Sequence, residues 1–220
     1  MKAYHNDPAV KSAILAQLVG HRKADEIVKG QYWEGGKGCA VGCTLHTSDH
    51  AEYETRFGIP QMLAHLEDRI FEGLPNGVAK AWPERFMGTI EPGADLSRVG
   101  WQFLHWLITD ESMTPGISDP LVRNAVKQCA DVLVPLMKGG AVDEDAAWSA
   151  ARSAVRSAES AARSAASAAW SANNAARSAA WSAENAESAA SAARSAAWSA
   201  AYIRMADKLI ELICQQQPER

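Results

Sequence analysis

Residues 148–184 read WSAARSAVRSAESAARSAASAAWSANNAARSAAWSAE. In this stretch an alanine follows each serine and Asn174, and these alanines recur every three or four residues, about 3.67 on average. A strand requires a period of two, so the pattern predicts an α-helix. Alanine has the highest helix propensity, and neither proline nor glycine occurs between residues 141 and 217. These properties favour a helix over a disordered segment.

The Ala/Ser-rich segment, residues 141–217, is expected to form one very long helix. About 70 residues at ~1.5 Å each would span on the order of 100 Å. The large side chains share one side of this helix, and the opposite side carries only alanine and serine. Such a small-residue face predicts close packing against a second copy, as in a coiled coil and hence a homo-oligomer. The alternative is an antiparallel Ala-lined hairpin that bends at Asn173-Asn174.

Length and charge limit the remaining possibilities. The chain has 220 residues and a formal net charge of −4. Residues 1–140 suffice for one helical head domain, so the fold class predicted is all-α, a compact helical head followed by the long helix. The acidic balance argues against nucleic acid or an anionic membrane as the partner. No signal segment or membrane span is evident in the sequence, which favours a cytoplasmic location.

Residues that typically begin or end helices divide the head into helical segments. Asp7-Pro8 and Asp119-Pro120 each combine a capping residue with a first-turn proline, so both pairs predict helix starts. Gly58 is expected to end one helix and Pro60 to begin the next. The most apolar segment, residues 99–108, is predicted to be the central helix of the core.

The spacing Cys39-x3-Cys43-x2-His46-x3-His50 offers four ligands of the types that bind tetrahedral zinc. Four ligands within so short a segment would form a cramped site. The alternative interpretation makes the two cysteines small buried hydrophobic residues and the histidines surface or capping residues.

Two further patterns are ambiguous. The glycines around Lys37 resemble a phosphate-binding loop but depart from the Walker motif, so a tight turn is the alternative. His65, Asp68 and Glu72 fall on one side of a predicted helix, where they could support proton transfer. They could equally form a solvated acidic face paired with Arg69.

Several short motifs between Trp33 and Trp82 resemble an uncharacterised family of bacterial and bacteriophage proteins with alanine-rich tails. The motifs are Lys37-Gly38-Cys39-Ala40-Val41-Gly42-Cys43-Thr44, Gly58-Ile59-Pro60, Leu66-Glu67-Asp68 and Phe71-Glu72-Gly73-Leu74-Pro75. The resemblance implies a phage or mobile-element origin. It implies no activity and no catalytic residues.

The function expected from the sequence is that of a non-enzymatic, oligomeric interaction or scaffold protein, which assembles through the Ala-rich helix. Its head would bind an unidentified protein or small molecule. The alternative is a ligand- or metal-binding protein, or an enzyme, with its site in residues 35–50 and zinc as the candidate metal. The sequence identifies neither a substrate nor a reaction.

Overall fold

Asp7 and Asp119 begin helices as predicted. The Asp7 Oδ1 accepts a hydrogen bond from the backbone N of Ala9 at 2.8 Å. The Asp119 Oδ1 accepts one from the backbone N of Leu121, also at 2.8 Å. Each bond satisfies a backbone donor that has no partner within its own helix, and the proline at the next position has no donor to satisfy.

The computed structural model describes residues 1–113, 119–141, 186–216 and 218, with the side chains of its last helix described from residue 193. These residues are mostly helical, in agreement with the all-α class. After a short 3-10 helix, Ala3–Asn6, the helices are α1 (Pro8–Lys23), α2 (Ala40–Leu45), α3 (Glu52–Phe57), α4 (Gln61–Gly73), α5 (Asn76–Ala79), α6 (Trp82–Thr89), α7 (Val99–Thr109), α8 (Pro120–Met137) and a C-terminal helix (Ala186–Cys214).

A small hairpin at the glycines around Lys37 is compatible with the all-α class. Strand β1 (Trp33–Glu34) pairs antiparallel with β2 (Lys37–Gly38). The two residues that join them, Gly35 and Gly36, have φ values of 58° and 81°. Such a turn requires positive φ at both central positions, which glycine adopts without strain. Two-residue strands are too short to show an alternating pattern in the sequence.

The chain divides into two compact units. The first contains residues 1–103 and the residues from 198 onward, and the second lies within residues 104–197. In the first unit, the helix after Pro60 buries Leu63, Ala64, Ile70 and Phe71. The left-handed Gly58, at φ 60°, ends α3 as predicted.

The last part of the Ala/Ser-rich segment belongs to the first unit. Tyr202 packs so closely on Gly73 that a Cβ there would lie 2.1 Å from the Tyr202 ring. The carboxylate of Asp207 accepts a hydrogen bond from Arg85 at 2.7 Å. The buried side chains of this part are Tyr202, Ala206, Leu209, Leu212 and Ile213.

The described residues contain no helix of the predicted length of about 70 residues. The C-terminal helix, with 29 residues, is the longest helix among them. Most of the segment 141–217, including the Asn173-Asn174 bend of the alternative hairpin, lies outside the described residues. A continuous helix and a hairpin therefore both stay predictions.

Helix α8 is the main described element of the second unit. It buries Ala125 and Ala130, and it continues past Pro135 to Met137 before Gly139 adopts a φ of 80°. Throughout the described residues, no helix is both long and apolar enough to cross a membrane.

Candidate functional site

The backbone of Tyr32 fixes the hairpin against α2. Its carbonyl oxygen lies where a side chain at Gly38 or Gly42 would stand, 1.9 Å and 1.4 Å from the ideal Cβ positions. The neighbouring Gln31 carbonyl accepts a hydrogen bond from the backbone N of Cys39 at 2.8 Å. Because these contacts involve backbone atoms, they fix the positions from which the side chains of Tyr32 and Trp33 extend.

A pocket of about 230 Å³ lies beside this loop and is called the Asp68 pocket below. Two carboxylates, a phenol and a thiol contribute to its wall, together with loop residues that precede β1. The lining residues are Gly30, Gln31, Tyr32, Cys39, Asp68 and Glu72. Glu72 is held in place by the backbone N of Gly30, which donates to its Oε1 at 3.1 Å.

Asp68 is the electrostatic centre of the pocket. Burial raises the pKa of the Cys39 thiol well above its usual range, and the neighbouring Asp68 adds to the effect. The negative charge of Asp68 is also the main cause of a raised pKa at Tyr32. Both neighbours therefore stay protonated at neutral pH. The Asp68 Oδ1 is buried and has no hydrogen-bond partner in the described protein.

His50 lies next to Asp68 and is 7% exposed. Its Nδ1 lies 3.0 Å from the Ser48 carbonyl oxygen, so Nδ1 carries a proton and donates it. Its Nε2 is 3.7 Å from the Asp68 Oδ2, beyond hydrogen-bond distance, and makes no hydrogen bond within the described residues. The ring stacks on His65 with centroids 4.1 Å apart and meets the edge of Tyr32 at 5.5 Å.

A second cluster joins α1 to the end of α2. The Nε2 atoms of His21 and His46 are 2.9 Å apart, and the two rings are nearly perpendicular at 85°. The Glu26 Oε2 lies 2.6 Å from the Nδ1 of His21. Trp33 stacks on His46 with centroids 4.1 Å apart. We refer to His21 and His46 as the convergent pair, and to His50 and His65 as the stacked pair.

The protonation of the convergent pair follows from its partners. Burial, the charge of His21 and then that of Arg56 lower the pKa of His46, which favours its neutral form. The Glu26 carboxylate fixes a proton on the Nδ1 of His21. The side-chain amide of Gln17 donates to the carbonyls of Cys43 and Thr44, at 2.7 Å and 3.1 Å, and its nitrogen also lies 3.4 Å from the Nε2 of His46.

The four predicted zinc ligands have different surroundings. The Cys39 Sγ accepts from the backbone N of Gly42, and the Cys43 thiol donates to the Gly38 carbonyl. Burial raises the pKa of Cys43 to about 12. His46 belongs to the convergent pair and His50 to the stacked pair.

These contacts do not support the predicted four-ligand site. Among the residues described, no group of three or more His, Cys, Asp or Glu side chains is arranged to hold a metal ion. Both cysteines match the alternative interpretation, as small buried residues. Zinc binding by the four stays a prediction that elemental analysis can test.

Sequence reasoning placed Asp68 and Glu72 on one side of a helix, and the structure shows both in the pocket wall. The same reasoning missed His21 and Glu26, because they approach His46 only through the fold. It also missed Glu67, which is fully buried on α4 and accepts a hydrogen bond from Tyr53. Its position offered a signal, since it lies four residues after Leu63 and three before Ile70, on the apolar stripe.

No family model, curated protein or solved structure matches the chain. The resemblance to bacterial and bacteriophage proteins therefore stays an expectation from the short motifs alone.

Proposed function

We propose that the protein is a non-enzymatic binding protein that holds a small organic cation, a primary ammonium or a guanidinium group, in the Asp68 pocket. The observation that carries the proposal is the buried Asp68 Oδ1, which no donor of the described protein satisfies. A buried acceptor without a partner costs free energy, and a charged N–H donor from a ligand would recover it.

The rest of the pocket fits the same ligand chemistry. Glu72 adds a second carboxylate, and the Tyr32 ring offers an aromatic surface on which a cation can rest. The Nε2 of His50 also faces Asp68, 3.7 Å from its Oδ2, so a ring nitrogen lies beside the carboxylate. A pocket of about 230 Å³ is smaller than the pockets that hold drug-sized ligands. It suits one functional group on a short aliphatic stem.

The state of Cys39 favours binding over covalent chemistry. A thiolate is the nucleophilic form of cysteine, and the raised pKa keeps this side chain a thiol.

Calorimetric titration of the full chain with n-butylamine, guanidinium and neutral n-butanol tests the proposal. We expect the two cations to bind and butanol not to bind. Asp68→Asn should weaken cation binding at least tenfold, because the amide replaces the charge that the ligand pairs with. Glu34→Gln is the matched control, since it removes the same charge from an exposed position on the hairpin. Equal binding of butanol, or undiminished cation binding by Asp68→Asn, would refute the cation site.

Assembly through the Ala/Ser-rich helix is a second candidate function. In the C-terminal helix, residues 193–198 are exposed, and Trp198 and Ile203 are 60% and 38% exposed. Exposed large apolar side chains beside a small-residue face favour packing against another chain. This proposal includes a homo-oligomer, a continuous helix over residues 141–217, a cytoplasmic location and a phage origin.

Small-angle X-ray scattering with light scattering tests the assembly. A maximum dimension on the order of 100 Å and a mass of two or more chains are the expected results. Ala165→Leu or Ala179→Leu should then reduce the mass, because a larger side chain holds the partner backbone away. A compact monomer would refute assembly and favour the hairpin.

A further inference from the structure

The convergent pair presents two imidazole nitrogens to a single point. The Nε2 atoms of His21 and His46 are 2.9 Å apart and approach from perpendicular rings. Two histidine nitrogens bound to one zinc ion at about 2.05 Å each, with a tetrahedral angle between them, lie roughly 3.3 Å apart. The observed separation is within about 0.4 Å of that distance.

The surroundings of the pair match those of metal-binding histidines. A ligating histidine ordinarily donates its other ring N–H to a carboxylate, which fixes the tautomer and increases the basicity of the ligating nitrogen. Glu26 occupies that position, 2.6 Å from the Nδ1 of His21. Trp33 fixes the ring plane of His46 by stacking at 4.1 Å, which lowers the entropy that an exposed ligand would lose.

We propose that His21 and His46 form a two-imidazole site for a divalent transition-metal ion of the zinc type, with Glu26 as the positioning carboxylate. The ion takes the place of the hydrogen bond between the two Nε2 atoms, and His46 then carries its proton on Nδ1. Water completes the coordination on the exposed side of His46. Neutral imidazoles are the ligands such ions require. The site is separate from the Asp68 pocket and does not depend on cation binding there.

Titration of the full chain with Co²⁺ and Zn²⁺ tests the site, read by visible absorption and by the side-chain nitrogen resonances of the histidines. We expect one ion per chain, with shifts at His21 and His46 and none at His50 or His65. His21→Ala and His46→Asn should each weaken binding at least tenfold. Asparagine is chosen at position 46 because it tolerates the left-handed backbone there, φ 58°. His65→Ala, which removes an exposed ring from the stacked pair, should bind the ion like the wild type.

A further variant tests the role of Glu26. Glu26→Gln should weaken the affinity by roughly tenfold and leave the ion on the same two nitrogens, as loss of an outer carboxylate does elsewhere. Undiminished affinity in His21→Ala would overturn the proposal. So would a thiolate-to-cobalt absorption band that disappears in Cys43→Ser, because it would assign the ion to the cysteine-containing ligand set instead.

Discussion

His21 and His46 meet nitrogen to nitrogen, whereas His50 and His65 meet face to face. In the first pair the rings are at 85° and the Nε2 atoms are 2.9 Å apart. In the second pair the rings are at 16° and their centroids are 4.1 Å apart. A nitrogen lone pair lies in the plane of its ring, so only the first arrangement brings one nitrogen of each ring close enough to share a hydrogen or an ion. The comparison shows that ring orientation, not the number of histidines, distinguishes a ligand site from an aromatic stack.

The two pairs also differ in where the carboxylate lies. Glu26 lies at the Nδ1 of His21, on the side of the ring away from His46. Asp68 lies near the Nε2 of His50 and lines the pocket, and its buried Oδ1 has no hydrogen-bond partner among the described residues. We therefore propose that the first carboxylate orients a histidine and that the second binds a ligand.

Gly42→Ala should produce the largest effect and alter both pairs together. The new Cβ would stand 1.4 Å from the Tyr32 carbonyl oxygen, and neither atom belongs to a flexible side chain. Tyr32 contacts the stacked pair and Trp33 the convergent pair. We expect a loss of about 3 kcal/mol or more in the free energy of unfolding, measured by urea denaturation.

Gly20→Ala is the matched control for that substitution. Gly20 lies within α1 and has nothing within 4 Å of an added Cβ. Alanine there should be neutral or should stabilise the protein by up to about 1 kcal/mol. A similar loss of stability in both variants would show that the contact with Tyr32 is not the cause.

Glu67→Gln should change the pH dependence of the free energy of unfolding. Glu67 is a buried titratable residue of the core and belongs to neither histidine pair. Burial raises the pKa of Glu67 from its ordinary value of 4.5 to about 8, the nearby charge of Asp68 adds to the rise, and the Tyr53 hydrogen bond opposes it. The folded state holds its proton more tightly than the unfolded chain. The contribution of Glu67 to stability is therefore complete below about pH 4.5 and is lost as the pH rises through 8.

The loss is at most about 1.4 kcal/mol per pH unit between those two values. Thermal unfolding at several pH values should show it in the wild type and not in Glu67→Gln, whose amide stays neutral and still accepts from Tyr53. Glu34→Gln should keep the wild-type profile. A wild-type profile in Glu67→Gln would mean that another group causes the dependence.

Trp33→Ala and Tyr32→Ala should have the smallest effects on stability. The two residues are adjacent in the chain, but Trp33 contacts the convergent pair and Tyr32 contacts the stacked pair. Loss of the Trp33 stack should cost about 1–2 kcal/mol and weaken metal binding at the convergent pair. Tyr32→Ala should cost less than about 1 kcal/mol, because that ring is exposed, and should weaken cation binding at the Asp68 pocket. Identical effects of the two substitutions on both ligands would show that the sites are not independent.

The helix starts at Asp7 and Asp119 and the helix end at Gly58 were predictable because their signals are local. Capping and left-handed backbone depend on one or two residues, so the sequence contains the whole cause. The hairpin was not predictable, since each strand has two residues and its register depends on the packing of Tyr32 against Gly38 and Gly42.

The candidate sites were predictable only where their members lie on one helix. Asp68 and Glu72 are four residues apart on α4, so helical geometry places them on the same side. The convergent pair joins residues 25 positions apart, and only the packing of α1 against α2 brings them together. The zinc prediction combined residues that are near in sequence, yet their contacts place two in the core and one in each histidine pair.

The packing of Tyr202 on Gly73 also has a consequence for biosynthesis. The first unit needs the side chains after residue 198 for its core, but the ribosome must first translate residues 104–197. At roughly 5–20 residues per second, the early helices wait on the order of five to twenty seconds for their last partner. During that interval the surface that later receives Tyr202 is exposed on the nascent chain, where a chaperone or an early misfolding event would act.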